Sequence, residues 1–290
     1  MIFVMGATGQ VARATIDSLL EQGVPPAEIA AGARSVAKAR DLSDLGVTVR
    51  AADYNDRSLL EQAFQSVETL VLIPTKTPAG PRCVEHWNAL EAAKAAGVKR
   101  VVFLSLQAST PQSRFSVDPF IMFAESATRL AGLRWTFARM SLYTDPVAEW
   151  APELVRTGVL PYPVKDARIA YVARQDVGRS LAAVARRTGL NGEIVEFTGP
   201  AALSMPELAG AISEVYGVTV QFHTITEDEY RELCRKDHLP EEITEILVTM
   251  YHAAEAQEFS NVTADIERLT GKAAESVIET LRRQAKQMGA

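Results

Sequence analysis

The chain has 290 residues, which fits either two domains or one large one. Hydrophobic residues make up 47% of the sequence and charged residues 23%, a composition that excludes a disordered, collagen-like or coiled-coil protein. The formal net charge of −6 opposes binding to nucleic acid, because a protein that follows a phosphate backbone needs a basic face. We therefore expect a folded protein with no nucleic-acid partner.

The cysteines and the apolar runs bear on the compartment. Cys83 and Cys234 lie far apart and match no metal-ligand spacing, so neither a disulfide scaffold nor a metal site is expected. The opening residues MIFVMGATG lack the basic region of a signal peptide, and no apolar run of the sequence approaches the roughly 18 residues of a membrane helix. The sequence predicts a cytoplasmic protein that does not enter a membrane.

Short apolar segments rich in Val, Ile and Phe alternate with segments of helical periodicity, which is the pattern of βαβ units. Strands are predicted near 2–5, 29–33, 47–52, 69–73, 100–105, 134–138, 168–172 and 193–198. The segments 68–74 and 100–106 are almost entirely apolar, as expected where helices cover both faces of a parallel sheet. The predicted fold class is therefore α/β, with a Rossmann-type doubly wound parallel sheet.

The second half of the chain is less regular. Prolines at 146, 152, 161 and 163 interrupt residues 141–167, which are predicted to form an irregular connection around one short helix. From Ser204 onward helical periodicity dominates, with one strand near 218–225. The predicted organisation is a dinucleotide-binding domain over 1–140, to whose sheet 168–198 adds, and a smaller, mostly helical substrate-side subdomain formed by 141–167 and 199–290.

The first predicted strand leads directly into a glycine motif that opens the first helix. Its residues are Gly6, Ala7, Thr8, Gly9, Gln10, Val11 and Ala12. Gly6 permits the tight turn, Gly9 lets the backbone approach a pyrophosphate, and Ala12 lets the helix pack closely on the strand. The helix N-terminus offers free N–H groups to phosphate. The motif predicts dinucleotide binding, the alternative being a tight turn without a ligand.

The end of the second strand indicates which dinucleotide is bound. In NAD-binding proteins of this fold, an acidic residue near this point hydrogen-bonds the ribose 2′-hydroxyl. Here Arg34 holds the position, and Lys38 follows four residues later. If residues 35–44 are helical, both cations face one 2′-phosphate, to which arginine offers a bidentate fork. The sequence therefore predicts NADPH as the cofactor, the alternative being two exposed surface cations.

Several segments resemble the NmrA-like atypical short-chain dehydrogenases. They are GATGQ at 6–10, Arg34 and Ser35 with Lys38, Ala52 to Tyr54, His86 with Asn88, AAKAAGVKRVVFLSL at 92–106, Arg139 with Tyr143, and ADIERLTGKAAES at 264–276. The resemblance covers most of the chain. Within the family it is nearest to the NAD(P)H:quinone reductase and triphenylmethane reductase branch.

The resemblance implies positions for the cofactor. It places Asp53 and Tyr54 beside the adenine, Ile73, Pro74 and Thr75 near the ribose and pyrophosphate, Ser105 and Leu106 near the nicotinamide, and Met140 to Tyr143 at its reactive face. All of these lie at the carboxyl ends of predicted strands, where open α/β sheets bind ligands. Ser105 and Tyr143 are the predicted catalytic residues.

Conventional short-chain dehydrogenases reduce carbonyls with a Tyr-x-x-x-Lys pair, in which the lysine lowers the tyrosine pKa. This sequence has no tyrosine over 55–142 and no lysine over 100–164, so the helix predicted near 119–131 carries neither. Related reductases often have a histidine and an acid at the start of this helix. Here Ile121 stands at the histidine position and Glu125 at that of the acid.

The missing pair selects among reactions. Reduction of a ketone or sugar forms an alkoxide that needs a positioned acid, and without one about 10² to 10⁴ in rate is lost. A quinone or cationic dye instead gives a delocalised or neutral product that water can protonate. The sequence therefore predicts hydride transfer from NADPH to a flat, electron-poor small-molecule acceptor, in a site that supplies orientation and an apolar slot.

The candidate slot is a cluster of large side chains, for each of which a place in the core is the alternative. It comprises Phe115, Phe120, Phe123, Leu142, Tyr143 and Trp150. Ser105 either hydrogen-bonds the carboxamide or the acceptor, or satisfies a strand end. His86 is interpreted as a packed or capping imidazole, Lys76 as a solvated loop residue and Asp176 as a helix N-cap.

A rival interpretation from another class is a non-catalytic dinucleotide sensor, because NmrA itself is a redox-responsive regulator and the missing pair fits both. Oxidation of NADPH by an added acceptor separates the two. The identity of the acceptor and the assembly state, including a homodimer, stay open at this point.

Overall fold

The computed structural model of the chain describes residues 1–107 and 109–288. Its strands are β1 (Ile2–Met5), β2 (Ile29–Ala33), β3 (Thr48–Ala51), β4 (Thr69–Leu72), β5 (Arg100–Leu106), β6 (Arg134–Met140), β7 (Val159–Tyr162), β8 (Arg168–Ile169), β9 (Glu193–Phe197), β10 (Leu203–Ser204) and β11 (Gln221–Thr224). Seven of them form a parallel sheet in the order β3-β2-β1-β4-β5-β6-β9. The strand order reverses between β1 and β4, which is where open sheets of this kind bind ligands.

The helices of the described residues are α1 (Gln10–Glu21), α2 (Arg40–Asp44), α3 (Arg57–Ala63), α4 (Ala79–Ala95), α5 (Asp118–Leu130), α6 (Asp145–Thr157), α7 (Arg174–Arg186), α8 (Met205–Tyr216), α9 (Glu227–Lys236), α10 (Glu241–Glu255), α11 (Asp265–Thr270) and α12 (Val277–Met288). Helices α1 to α5 and α7 pack around the central sheet, and the helices after α7 form the C-terminal part. Within the described residues, no helix is both long enough and apolar enough to cross a membrane.

Alternate side chains of the central strands enter two separate cores. Phe3 and Phe103 face the layer that contains α3, α4 and α5. Val4 and Val102 face the layer that contains α1 and α7. Because both faces are buried, the strands are apolar along their length rather than alternating. The predicted doubly wound α/β fold is confirmed.

Helix α7 packs directly on α1. A Cβ atom at Gly178 would lie 2.4 Å from the Cβ atom of Ala14, so a larger residue would push the helices apart. At the start of the two helices, the Arg174 side chain donates a hydrogen bond to the side-chain oxygen of Gln10. The close packing therefore brings two helix N-termini together at one edge of the sheet.

The strand predicted over 168–172 is wrong in length and in place. Only Arg168–Ile169 is a strand, and it pairs antiparallel with β10 outside the central sheet. The backbone of Ala170 bonds instead to Phe259 and Gly199, which leaves it no partner in the sheet. From the segment 168–198, β9 alone joins the seven strands.

The segment 141–167 is more regular than predicted. It contains the 13-residue helix α6 and strand β7, which pairs in parallel with β11. Pro146 lies in the first turn of α6, where no N–H partner is lost, and Pro152 lies inside the helix. Val147 and Leu154 bury one face of α6, and this packing outweighs the interrupted backbone bond.

Candidate functional site

A cleft of about 900 Å³ opens at the carboxyl-terminal edge of the central sheet. It is lined from the ends of six neighbouring strands and from the first residues of α1 and α7. The predicted site residues in its wall are Gly6, Thr8, Gly9, Gln10, Val11, Arg34, Asp53, Tyr54, Ile73, Pro74, Thr75, Ser105, Met140 and Tyr143. Lys38 is the predicted site residue that does not line it.

Lys38 is outside the cleft because the helix expected over 35–44 begins differently. Val36–Ala39 forms a 3₁₀ turn, and α2 begins only at Arg40. Arg34 precedes this turn, so Arg34 and Lys38 do not share the face of one helix. Arg34 lines the cleft, and Lys38 is exposed outside it.

The glycine loop leaves backbone N–H groups open to the cleft. Gly6 adopts φ +74°, and the Gly9 N–H donates to the Gly6 carbonyl at 2.8 Å. Gly9 is also the N-cap of α1, and without a side chain it cannot cap the first-turn N–H groups. A Cβ atom at Gly9 would lie only 3.2 Å from the Gly6 carbonyl oxygen. The loop therefore fits an anionic group that approaches the bare backbone.

Tyr54 connects the ends of β3 and β4. Its hydroxyl donates to the Ile73 carbonyl at 2.5 Å, and its own carbonyl accepts from the Asn88 amide at 3.0 Å. Burial, together with the negative charge of Glu85, raises the pKa of Tyr54. Beside it, the Asp53 carboxylate accepts from the Asn55 backbone N–H at 2.9 Å. These bonds hold the wall of the cleft rigid where the adenine is expected.

Ser105 stands in front of a buried ion pair. Its hydroxyl donates to Oε1 of Glu125 at 2.7 Å, and Arg139 donates to the two oxygens of Glu125 at 2.9 and 2.8 Å. Arg129 adds a contact at 3.2 Å. The side chain of Glu125 is 2% exposed and that of Arg139 is 20% exposed. Strands β5 and β6 place Ser105 directly beside Arg139.

The hydrogen bonds of this network determine which donors and acceptors Glu125 and Ser105 can present to a ligand. Glu125 does not line the cleft, and its carboxylate is occupied as an acceptor of arginine and serine hydrogens. Ser105 does line the cleft, and its single hydroxyl hydrogen is used by Glu125. A serine in this state presents lone pairs, so it can accept a hydrogen bond from a ligand.

The predicted slot is mostly wrong. Of its six side chains, all within the described residues, Tyr143 alone lines the cleft. Phe120 packs in the core against Phe103, Phe115 packs against Phe259, Phe123 is 37% exposed, Leu142 packs on the core edge, and Trp150 lines a second cavity beside α9. Aromatic composition could not distinguish the core, the second cavity and the surface, because aromatic side chains occur in all three.

Other polar residues have clear places. His86 is buried against the ring of Phe103, with its Nε2 atom 3.0 Å from the Thr128 hydroxyl oxygen. Burial lowers the pKa of His86 to about 3, so the imidazole is neutral and structural, which confirms its interpretation as a packed residue. Lys76 is exposed at the rim of the cleft.

Asp176 is not the helix N-cap that the sequence indicates. Helix α7 begins at Arg174 with Ala173 as its N-cap, so Asp176 lies in the first turn. Its buried carboxylate bonds to Arg179 at 2.7 Å and accepts the Glu275 backbone N–H at 2.6 Å. The local rule identified a helix start but misplaced it by one turn, because Asp176 binds the C-terminal segment instead.

Four charged residues of the cleft wall were missed by sequence reasoning: Arg82, Glu85, Glu149 and Arg174. Glu85 accepts from the Thr77 hydroxyl at 2.7 Å, and the Arg82 guanidinium donates to the Thr77 carbonyl at 2.8 Å. Arg174 is the first residue of α7, and a basic residue at a predicted helix start was visible in the sequence. That signal was available, whereas the other three lie within helices.

Comparison with known proteins agrees with this arrangement. Quinone oxidoreductase 2 of Escherichia coli is 32% identical over 247 residues, which cover 85% of each chain. The crystal structure of an NADPH-dependent quinone oxidoreductase from E. coli in complex with NADPH is similar over 98% of this chain and 99% of that one, with 29% identity and a TM-score of 0.93. Triphenylmethane reductase of Citrobacter sp. complexed with NADP(H) matches over the same shares, with 28% identity and a TM-score of 0.91.

The profile of one protein family covers almost the whole chain. It matches residues 1–284, which include the glycine loop, Arg34 and the buried ion pair behind Ser105. On this match, the chain belongs to the NmrA-like family.

Proposed function

We propose that this chain is an NADPH-dependent reductase that transfers hydride to a flat, electron-poor acceptor such as a quinone or a cationic dye. The observation that carries the proposal is one cleft lined by a bare phosphate-binding loop and Arg34 together with Ser105, Ile121 and Tyr143. The similar proteins from E. coli and Citrobacter are named for reduction of quinones and triphenylmethane dyes, which supports the same chemistry here.

The residues fit the adenine half and the pyrophosphate of NADPH. The uncapped N-terminus of α1 suits the pyrophosphate, since its N–H groups and partial positive charge favour an anion. Arg34 is placed to bind the 2′-phosphate through two N–H groups. Tyr54 and Asp53 then border the adenine. When bound, NADPH supplies the hydride.

Ser105 is proposed to orient the nicotinamide. Because its hydrogen is donated to Glu125, the lone pairs of Ser105 are available to the carboxamide N–H of the cofactor. Arg139 holds Glu125 in place, and through it the orientation of the serine hydroxyl. Such a contact fixes the ring without any proton transfer, which is the role that hydride transfer requires.

The acceptor side provides an apolar wall rather than an acid. Ile121 and Met140 line it, and both oxygens of Glu125 behind it are engaged by Arg139 and Ser105. Burial raises the pKa of Tyr143, which makes its hydroxyl a poor proton donor. An acceptor whose reduced form is delocalised or neutral needs no positioned acid, because water completes the protonation. The site therefore favours quinones and dyes over ketones and sugars.

The lining of the cleft also supports a role for each segment of the chain. We propose that 1–140 with β9 holds the cofactor and supplies Ile121 and Met140 to the acceptor wall, and that 141–167 and 199–290 form the rest of the acceptor side. From 141–167, Tyr143 and Glu149 line the cleft. The proposed compartment is the cytoplasm, which is supported by Cys83 and Cys234 being unpaired thiols.

The test is oxidation of NADPH by the purified protein with a panel of acceptors. The panel contains a naphthoquinone, a cationic triarylmethane dye, a simple ketone and a nucleotide sugar, and absorbance at the NADPH band is followed. We expect the quinone or the dye to exceed the ketone by about 100-fold or more, since the ketone lacks its acid. The quinone rate should change little between pH 6 and pH 8. The Gly9→Val variant is the matched control, because it removes the cofactor site and should abolish the rate.

Two results contradict the proposal in different ways. Equal rates with ketone and quinone would mean that a proton donor exists in the site. Binding of NADPH without oxidation by any acceptor of the panel would replace the reductase with the non-catalytic sensor.

A further inference from the structure

Arg174 is a mostly buried cation that contacts three elements at the cleft. Its Nη1 atom donates to the side chain of Gln10 and, at 2.6 Å, to the Glu149 carboxylate. Its guanidinium carbon lies 5.3 Å from the centre of the Tyr143 ring. The Arg174 side chain is 18% exposed, whereas that of Glu149 is 49% exposed. The cation is therefore fixed by the protein, and its acidic partner is largely in solvent.

The position of the Arg174 guanidinium beside α1 indicates which ligand it can bind. Gln10 is the first residue of α1, so the Arg174 guanidinium lies beside the helix N-terminus that the glycine loop leaves uncapped. Both groups are electropositive and both face the same cleft. Arginine presents several N–H groups in a plane and matches phosphate oxygens well. An anion at the N-terminus of α1 would therefore meet Arg174 as well.

Glu149 makes the opposite contribution. Its carboxylate lines the same cleft and adds negative charge where an anionic ligand has to enter. It holds Arg174 through one oxygen, and the exposure of this carboxylate to solvent weakens the ion pair. A pyrophosphate carries more charge than a carboxylate and can displace it.

We propose that Arg174 binds the cofactor pyrophosphate and that Glu149 competes with the cofactor for this arginine. The proposal rests on the proposed function only in the identity of the dinucleotide. It deepens that function by assigning a second cation to the diphosphate, in addition to Arg34 at the 2′-phosphate. The alternative is a purely structural role, in which the ion pair ties α6 to α7.

The two roles predict opposite signs for the two partners. Dissociation constants for NADPH are measured without any acceptor, for the wild type, Arg174→Gln and Glu149→Gln. Arg174→Gln should weaken NADPH binding about tenfold, and Glu149→Gln should tighten it about two- to fivefold. Arg186→Gln is the matched control, because Arg186 lies on the same helix and bonds to Gln22 away from the cleft. It should leave the constant unchanged.

A second probe locates the effect on the ligand. Adenosine 2′-monophosphate carries the adenine and the 2′-phosphate but no pyrophosphate, and it is used to displace NADPH. Arg174→Gln should leave its affinity within about twofold, while Arg34→Gln should weaken it about tenfold. If Arg174→Gln does not fold, the direction in which Glu149→Gln changes NADPH affinity still distinguishes cofactor binding from a structural role.

Some outcomes overturn this inference and leave the reductase intact. Weaker NADPH binding in both Arg174→Gln and Glu149→Gln, by similar factors, would show a structural tie. An unchanged NADPH dissociation constant in Arg174→Gln would show that this arginine does not bind the cofactor. If the wild type does not bind NADPH at all, the proposed function itself fails.

Discussion

The two sides of the cleft are built in different ways. The proposed phosphate side consists of backbone N–H groups of one continuous segment, Gly6 to Gln10, with Arg34 at the end of the next strand. The proposed nicotinamide side, called the network side below, consists of side chains from three elements: β5 contributes Ser105, α5 contributes Glu125 and β6 contributes Arg139. One side therefore depends on a local backbone shape, and the other on a buried network.

This difference determines how each side fails. A glycine loop can lose its ligand while the rest of the domain stays folded, since few tertiary contacts depend on it. A buried carboxylate that holds an arginine cannot be removed alone, because the unpaired charge stays in the core. We therefore expect mutations of the phosphate side to change affinity, and mutations of the network to change stability.

The largest effect is expected from Glu125→Gln. An amide cannot accept both arginine hydrogen bonds, so Arg139 is left without its charge partner and the free energy of unfolding should fall by about 3 to 5 kcal/mol. Chemical denaturation measures it. Arg129→Gln is the matched control, because Arg129 is 40% exposed, and it should cost less than about 1 kcal/mol. A loss below about 1 kcal/mol for Glu125→Gln would mean that the ion pair does not support this side.

The phosphate side is tested most strongly by Gly9→Val. The added Cβ atom would lie 3.2 Å from the Gly6 carbonyl oxygen and the rest of the side chain would occupy ligand space. NADPH affinity should fall at least about 100-fold, while the melting temperature changes little. Gly210→Val, where the added Cβ atom meets open space, controls for valine itself. If a folded Gly9→Val variant still binds NADPH, the glycine motif is only a turn and does not bind the cofactor.

The same difference explains how much the sequence could predict. The glycine loop and Arg34 were predictable, because both follow strands whose apolar runs are strong and each function depends on neighbours in the sequence. That Lys38 lies outside the cleft was not predictable, because composition does not show whether the turn at 36–39 is α-helical or 3₁₀.

The network side was predictable only in part. Ser105 could be placed, since it ends a clear strand. The pairing of Glu125 with Arg139 joins two elements through packing, and nothing in either local segment indicates it. The strand predicted over 168–172 failed for a similar reason, because a buried apolar run can pair with a distant loop as well as with a sheet.

Arg34→Asp tests the choice of cofactor. The reversed charge should lower NADPH affinity by one to two orders of magnitude, about 1.4 kcal/mol for each, measured as a dissociation constant at fixed salt. Lys38→Gln should change it less than about twofold, since Lys38 lies outside the cleft. Equal wild-type affinities for NADPH and NADH would contradict the predicted preference for NADPH. A Lys38 effect as large as that of Arg34 would show that the 36–39 turn rearranges around the ligand.

Asp118 makes the network side sensitive to pH. Burial, followed by the charges of Glu258 and Glu125, raises the pKa of Asp118 to about 6. The folded state then holds this proton more tightly than the unfolded state, so the stability it gives is present at low pH and is lost as the pH rises through 6. Between pH 4.5 and pH 8 the loss should be about 1 kcal/mol, since solvent screens part of the effect.

Asp118→Asn mimics the protonated acid and should remove that part of the pH dependence. Unfolding free energies are compared at the two pH values for the wild type and the variant. Asp228→Asn, on the exposed side of α9, controls for the loss of one negative charge. An identical pH dependence in Asp118→Asn and wild type would mean that Asp118 is ionised throughout the range.

The smallest effect is expected at Tyr143. It distinguishes a site that only positions the acceptor from a site that also donates a proton to it. Tyr143→Ala removes the ring that lines the cleft, so the acceptor KM should rise about three- to tenfold and the cofactor KM should rise less. Tyr143→Phe keeps the ring and its contact with the Arg174 guanidinium while it removes the hydroxyl. Because burial raises the pKa of this hydroxyl, it is a poor proton donor, and kcat of Tyr143→Phe should stay within about twofold of wild type. If Tyr143→Phe instead loses nearly all turnover with NADPH binding intact, the tyrosine donates the proton and the apolar-wall mechanism is wrong.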